Sequence, residues 1–274
     1  MLKHRILTAA FLIPFFIWGI FSLSTQHFAY MIGAFVSVGA WEWTRLIGIR
    51  NISFRGLYVV LIVGIQFILL DHLSDSLVLD VALIASGVFW LFALYLIISY
   101  RGQKGVSQSL LPLNLLIGVI LLVPTWLALL TLHGRIIDGA EWLLFALSII
   151  WVADSAAYFV GRKFGKNKLA PHVSPGKSRE GVMGAVVASL IYSLLAGVYW
   201  LGVPDTKLLS FMFLCMVVVI VSVEGDLLES LYKRRVGVKD SGIILPGHGG
   251  VLDRIDSVMA AVPVFVLGTR LLEI

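Results

Sequence analysis

A single cysteine, Cys215, stands in the 274 residues, which excludes a disulfide framework and any metal site built from several thiolates. Charge is scarce as well: Asp, Glu, Lys and Arg make up 14 % of the chain, where soluble domains carry about 25 %. Too few polar side chains remain to cover a water-facing globule, so a soluble enzyme, a disordered chain and a coiled coil are excluded. No soluble domain, low-complexity tract or convincing internal repeat is visible. A P-loop is also missing, because the Gly176–Lys177–Ser178 triplet would place the motif's first glycine at Pro171. What fills the chain is apolar: hydrophobic residues are 59 % and the mean hydropathy is +0.97. The eight Trp, eight Tyr and sixteen Phe suit aromatic belts at a membrane interface.

A membrane-crossing helix needs about 20 mostly apolar residues. Nine runs qualify, at roughly 6–24, 27–44, 57–70, 77–99, 108–131, 140–160, 181–201, 207–223 and 251–272. The expected fold is therefore all-α, a polytopic membrane protein of about nine spans. Lys3 and Arg5 before the first run resemble a secretory signal, but no small-residue cleavage site stands out, and an uncleaved first helix is expected. With nine spans, all 21 basic residues except Arg135, Lys207 and Arg270 fall on one side. The positive-inside rule then puts the N-terminus and the even-numbered loops in the cytoplasm. The net charge of +5 thus reports orientation in a cytoplasmic membrane, and no nucleic-acid partner is expected. Residues 1–135 form an N-terminal bundle of five spans. Residues 136–274 form a C-terminal region of four spans with two long cytoplasmic loops, 161–180 and 224–250, which the residues described next mark as the expected catalytic region.

Acidic residues are few, yet Glu224, Asp226, Glu229, Asp240, Asp253 and Asp256 crowd into one stretch. The apolar part of the eighth span, Leu208 to Val223, is about 24 Å long, and that of the ninth, Ser257 to Thr269, about 20 Å. Neither fills a hydrocarbon layer of about 30 Å, so the carboxylates at their cytoplasmic ends sit at the depth of lipid phosphates. On this reading Asp226 ends the descending span, while Asp253 and Asp256 open the returning one and share a face at i,i+3. Ser222, Asp226 and Ser230 share another at i,i+4. Carboxylates there suit Mg2+, with retained waters and substrate phosphates completing the shell, and a second cation is admitted. The bland reading is that Asp253 caps a helix start and pairs with Arg254 or Lys239.

Between these helix ends, Lys233, Arg234, Lys239 and Arg254 supply positive charge for phosphate oxygens. The Pro246–Gly250 turn, which includes Gly249 and Gly250, allows a nest of N–H groups that binds an anion. His248 is a proton donor, a phosphate ligand or a turn residue. In the sixth loop, Lys177 and Arg179 suit polyphosphate or anionic head groups. Asp154 lies inside a span, which makes it a functional candidate. Glu42 and Arg45 read as an interfacial ion pair.

The run from Ser230 to Asp256 resembles the signature of the phosphatidate cytidylyltransferases, or CDP-diglyceride synthases: Ser230, Lys233–Arg234, Lys239–Asp240, Pro246, His248–Gly249–Gly250, Asp253–Arg254 and Asp256. The segments Val223 to Ser230 and Asp154 to Ser178 match it too. Tyr232, Ser178 and Arg179 depart from the family's usual residues. The resemblance implies that CTP and phosphatidate give CDP-diacylglycerol and pyrophosphate, with the bilayer as solvent for one substrate. It implies Asp226 and Asp253 as first-choice metal ligands with Asp256 supporting. Lys233, Lys239 and Arg254 would bind phosphates, Ser174 and Lys177 would line the substrate entrance, and a homodimer is implied. Two alternatives stay open: a CTP-dependent kinase of polyprenol or another lipid alcohol, and an ion-coupled transporter using Asp154 and the eighth-loop carboxylates. The D-G-x2-A-R aspartate motif of CDP-alcohol phosphotransferases is absent.

Overall fold

Each of the nine apolar runs corresponds to an α-helix in the computed structural model, which describes residues 2–73 and 75–274 apart from the side chains of 2–7, 9 and 108. The side chains of Lys3 and Arg5, used above in the charge asymmetry, lie outside that description. The helices are α1 (Leu2–Ser22), α2 (Thr25–Leu46), α3 (Ile52–Leu70), α4 (Ser76–Ser99), α5 (Leu111–His133), α6 (Gly139–Phe164), α7 (Arg179–Tyr199), α8 (Asp205–Val236) and α9 (Leu252–Leu271). Local chemistry explains several starts. Asn51 accepts hydrogen bonds from the Ser53 and Phe54 amides to begin α3, and Asp75 does the same for Leu77 and Val78 of α4.

Six helices among the described residues, α3 to α8, are long and apolar enough to cross a membrane. Their outward faces carry large apolar side chains such as Phe67, Leu91, Ile191 and Leu209, all more than half exposed. Apolar surface on this scale is stable only against lipid, and the chain is a multi-pass membrane protein. The described apolar part of α1, Ala10–Ser22, is shorter. The helices α2 and α9 carry Glu42 and Arg45, and Asp253, Arg254, Asp256 and Arg270, respectively. Such charge is tolerated in α9 because it is the central helix, packed by α4, α5, α6 and α8. Ala260, Ala261, Val262 and Phe265 are fully enclosed.

Two elements differ from the sequence expectation. The segment expected as a loop from 161 to 180 contains a hairpin, β1 (Lys168–Ala170) and β2 (Ser174–Ser178), antiparallel with Lys168 opposite Ser178 and Ala170 opposite Ser174. The fold is thus helical apart from this small sheet. The second difference is length: α8 does not stop near Val223 but runs 32 residues, about 48 Å. The charged stretch from Glu224 to Val236 is helix because its apolar residues Leu227, Leu228, Leu231 and Tyr232 form one buried stripe. Gly237, at φ +72°, closes it. Tyr232, unusual for the signature, packs against Trp43 with ring centroids 4.6 Å apart and planes tilted by 57°, and donates its hydroxyl to Asn114 Oδ1 at 2.8 Å. That bond fastens α8 to α5, and the ring contact fastens it to α2.

Candidate active site

The polar half of α8 and the first turn of α9 face each other, and a glycine permits the approach. A Cβ on Gly225 would run into the Asp256 carbonyl and lie 3.0 Å from the Ala260 Cβ. Asp226 and Asp256 are thereby brought into one electrostatic neighbourhood, which Lys177 and Lys233 share. Ser230 Oγ donates to Asp226 Oδ1 at 3.2 Å, the i,i+4 contact the spacing predicts. Ser222, one turn earlier on the same face of α8, donates its hydroxyl to the Val219 carbonyl and not to Asp226. Asp226 lies inside α8, not at its end. Counted from Leu208 it is still about 27 Å along the helix axis, close to the thickness of a hydrocarbon layer.

The hairpin brings a cation to the same place. Lys177, from β2, makes an ion pair with Asp226 Oδ2 at 2.8 Å. Arg234 Nε donates to the Val173 carbonyl at 3.2 Å, tying the hairpin to α8. Glu180 holds the hairpin's other end through the Lys166 and Asn167 amides and the Asn167 side chain. Asp154, on α6, is within electrostatic reach of Lys177 and Asp226. Ser174 is half-buried where β2 begins.

Lys233 is central to a second group. Its ammonium lies 2.6 Å from Glu229 Oε2 and 2.7 Å from Asp253 Oδ1, with all three side chains largely buried. The other oxygen of Asp253 accepts from Ser241 N at 2.9 Å, Ser241 Oγ at 2.9 Å and Gly250 N at 2.8 Å. A carboxylate has about four lone-pair sites, and those of Asp253 are nearly all engaged. Asp253 does help organise the start of α9, but its cation is Lys233, not Arg254 or Lys239. Glu229 Oε1, by contrast, is buried with no hydrogen-bond partner.

The turn before α9 spends its donors internally. His248 N donates to the Leu245 carbonyl and Gly250 N to Asp253, so those two amides are not free for the expected anion nest. Gly249, at φ +82°, allows the chain to reverse there. Arg254 clamps the His248 carbonyl through Nε at 3.1 Å and Nη2 at 2.9 Å while remaining exposed. The His248 Nδ1 is buried without a partner. Lys239 and Asp240 are exposed, and among the described residues neither enters an ion pair.

Glu42 has a different role from the ion pair its spacing to Arg45 suggests. It is 2 % exposed and accepts from the Leu252 amide at 2.8 Å and from Ser241 Oγ at 3.1 Å. Arg45 turns instead to the Ser241 carbonyl at 3.4 Å. The N-terminal half thus reaches into the C-terminal site and holds the first turn of α9. Its sequence signal was an acid inside an otherwise apolar run; Ser241 had none. Glu42→Ala is expected to strand the Leu252 amide, while the Ser241 hydroxyl keeps Asp253 as its acceptor, destabilising the protein by about 2 kcal/mol. The check is the thermal midpoint of the detergent-solubilised protein, with Glu42→Gln, which keeps an acceptor, falling between it and wild type.

Among the described residues, no group of three or more His, Cys, Asp and Glu side chains is gathered for a metal. Asp226 and Asp256 nevertheless suit a hard divalent ion that takes one or two protein carboxylates and completes its shell with substrate phosphate and water. Asp253 suits it less, since an ion there must displace Lys233.

The sequence was compared with known proteins. The model of the cytidylyltransferase family matches residues 3–272. A phosphatidate cytidylyltransferase of Pseudomonas aeruginosa is 44 % identical over 97 % of this chain and 96 % of its own. That of Haemophilus influenzae is 39 % identical over 97 % of each, and that of Brucella suis 34 % identical over 83 % of this chain and 78 % of its own. A match that runs through both the apolar bundle and the paired helix ends admits one conclusion: the chain belongs to the cytidylyltransferase family.

Proposed function

We propose that the chain is a phosphatidate cytidylyltransferase, an enzyme that converts CTP and phosphatidate to CDP-diacylglycerol and pyrophosphate at a bilayer surface. The observation that carries this reading, beside the relatives' names, is an apolar groove of about 380 Å3 whose lining includes His248 and Arg254. Phe16, Ile20, Leu129, Trp151 and Val258 are among its walls, a lining suited to acyl chains. Arg254 supplies that groove with a guanidinium for a lipid phosphate, while Asp256, at i,i+2 on α9, stands on another face of the same helix.

A phosphatidate oxygen attacks the α-phosphorus of CTP, the bond from that phosphorus to the oxygen bridging to the β-phosphate breaks, and pyrophosphate leaves with the electron pair. The attacking phosphate is already ionised, so no strong general base is required. Lys177 and Arg254 position phosphates, Arg234 and Lys239 add positive charge where the triphosphate arrives, and Lys233 is taken up by Glu229 and Asp253. Asp226 and Asp256 would hold Mg2+, which when bound offsets charge on the transferring phosphoryl group. Asp253 fixes Lys233 and the turn into α9. Asp154 holds Lys177 by its charge.

Nine crossings, a cytoplasmic N-terminus and a site opening to the cytoplasm of a bacterial inner membrane complete the reading, supported by the basic asymmetry of the loops. The division at residue 135 is kept with one amendment: Glu42 and Arg45 serve the C-terminal site. The test is purified protein with CTP, phosphatidate and Mg2+. CDP-diacylglycerol and pyrophosphate should form in equal amounts. Release of CDP would indicate a lipid kinase and overturn the proposal.

A further inference from the structure

A second concavity, of about 1070 Å3, opens between the end of α2, the turn into α3, the segment before α5 and the end of α8. Four arginines line it: Arg45, Arg50, Arg55 and Arg235. No Asp or Glu is among the lining residues. Basic residues scattered along one membrane face need no explanation beyond orientation. These four differ because three separate segments deliver them to a single cavity without a counter-charge.

Their placement is built. The Arg55 guanidinium lies 3.9 Å from the Trp41 ring centroid, and it donates to Thr44 Oγ1 at 3.0 Å and to the Trp41 carbonyl at 2.9 Å. Arg235 sits over the Tyr232 and Tyr100 rings, 5.5 Å and 5.9 Å from their centroids. Rings and carbonyls hold these cations but leave their net charge uncompensated. Arg45 and Arg55 are near enough to repel one another. Such an arrangement is unfavourable when empty and is relieved by an anion. Planar guanidinium forks match phosphate oxygens in pairs, and basic pockets between membrane helices suit phosphate head groups.

We propose that this pocket is a second ligand site, separate from the Asp226–Asp256 pair, for a phosphate-bearing anion. The chemistry is shared by the head group of an anionic phospholipid and by free phosphate in solution. Arg45 joins the two sites physically, since its other contact is the carbonyl of Ser241, the residue that holds Asp253.

The test is titration calorimetry of the full-length protein in detergent with two anionic probes, dihexanoylphosphatidylglycerol and inorganic phosphate, and with zwitterionic dihexanoylphosphatidylcholine as control. At least one anionic probe should bind wild type ten times or more tighter than the Arg50→Ala/Arg235→Ala variant, while the control does not distinguish them. Binding of the lipid alone identifies a head-group site, and binding of inorganic phosphate a site open to soluble anions. If the alanine pair does not fold, Arg50→Gln/Arg235→Gln replaces it and the same tenfold loss is required. Absence of anion binding to wild type, or a loss below tenfold in the variant, overturns the proposal. Neither substitution touches the carboxylates, so the result does not depend on the proposed reaction.

Discussion

Asp226→Asn is expected to lower CDP-diacylglycerol formation by a factor of about a thousand, the upper end of the loss when one preorganised transition-state contact is removed. The amide keeps the shape of the side chain and an oxygen for Ser230, but it loses the negative charge that a divalent ion requires. Stability should hardly change. Among the described residues the ion pair lost is that with Lys177, at side-chain exposures of 24 % and 34 %, where such pairs contribute about 0–1 kcal/mol. Activity and thermal midpoint therefore separate in this variant. Asp253→Asn gives the contrasting case, because its four donors include the buried Lys233. It should lose activity and thermal stability together. Wild-type turnover from Asp226→Asn, or an equal loss of midpoint in both variants, would refute the division of labour between a metal-holding and a loop-holding aspartate.

The different surroundings of the two aspartates were not legible in the sequence, although both aspartates were. Periodicity placed every long apolar run on a helix, because lipid demands internal backbone pairing wherever side chains are apolar. It failed where charge and helix coincide. Glu224 to Val236 read as loop because its charges outweigh Leu227, Leu228, Leu231 and Tyr232, yet those four face protein and fix the helix. Arg234 and Lys177 were singled out for phosphate chemistry by residue type. Their meeting through a hairpin was invisible, since a two-stranded sheet has no period long enough to detect. Glu42 shows the deeper limit. Its partners Leu252 and Ser241 stand 210 and 199 residues away, and no local pattern reports a contact made by the bundle's closure. The small residue at Gly225 likewise gains its meaning only from the helix opposite.

Lys233→Met carries the largest expected loss of stability, about 3–5 kcal/mol, because it leaves two buried carboxylates without their common cation. Methionine fills much the same space, so the loss is electrostatic and not a cavity. Glu229 is 1 % and Asp253 6 % exposed at the side chain, and water cannot take over the role of the ammonium. The two carboxylates do not suffer equally. Asp253 keeps the Ser241 and Gly250 donors, whereas Glu229, already with one orphaned oxygen, keeps none of its recorded partners. Neutralising Glu229 should therefore recover most of the loss: Glu229→Gln/Lys233→Met is expected to melt closer to wild type than Lys233→Met alone. Asp253→Asn/Lys233→Met should not recover it, because Asp253 is still charge-compensated by backbone and hydroxyl donors and its amide would present N–H to them. Thermal midpoints of the three variants in one detergent decide the matter. A double variant at Glu229 no more stable than the single one would mean that the lysine serves Asp253 alone, and that α8 holds its buried glutamate by other means.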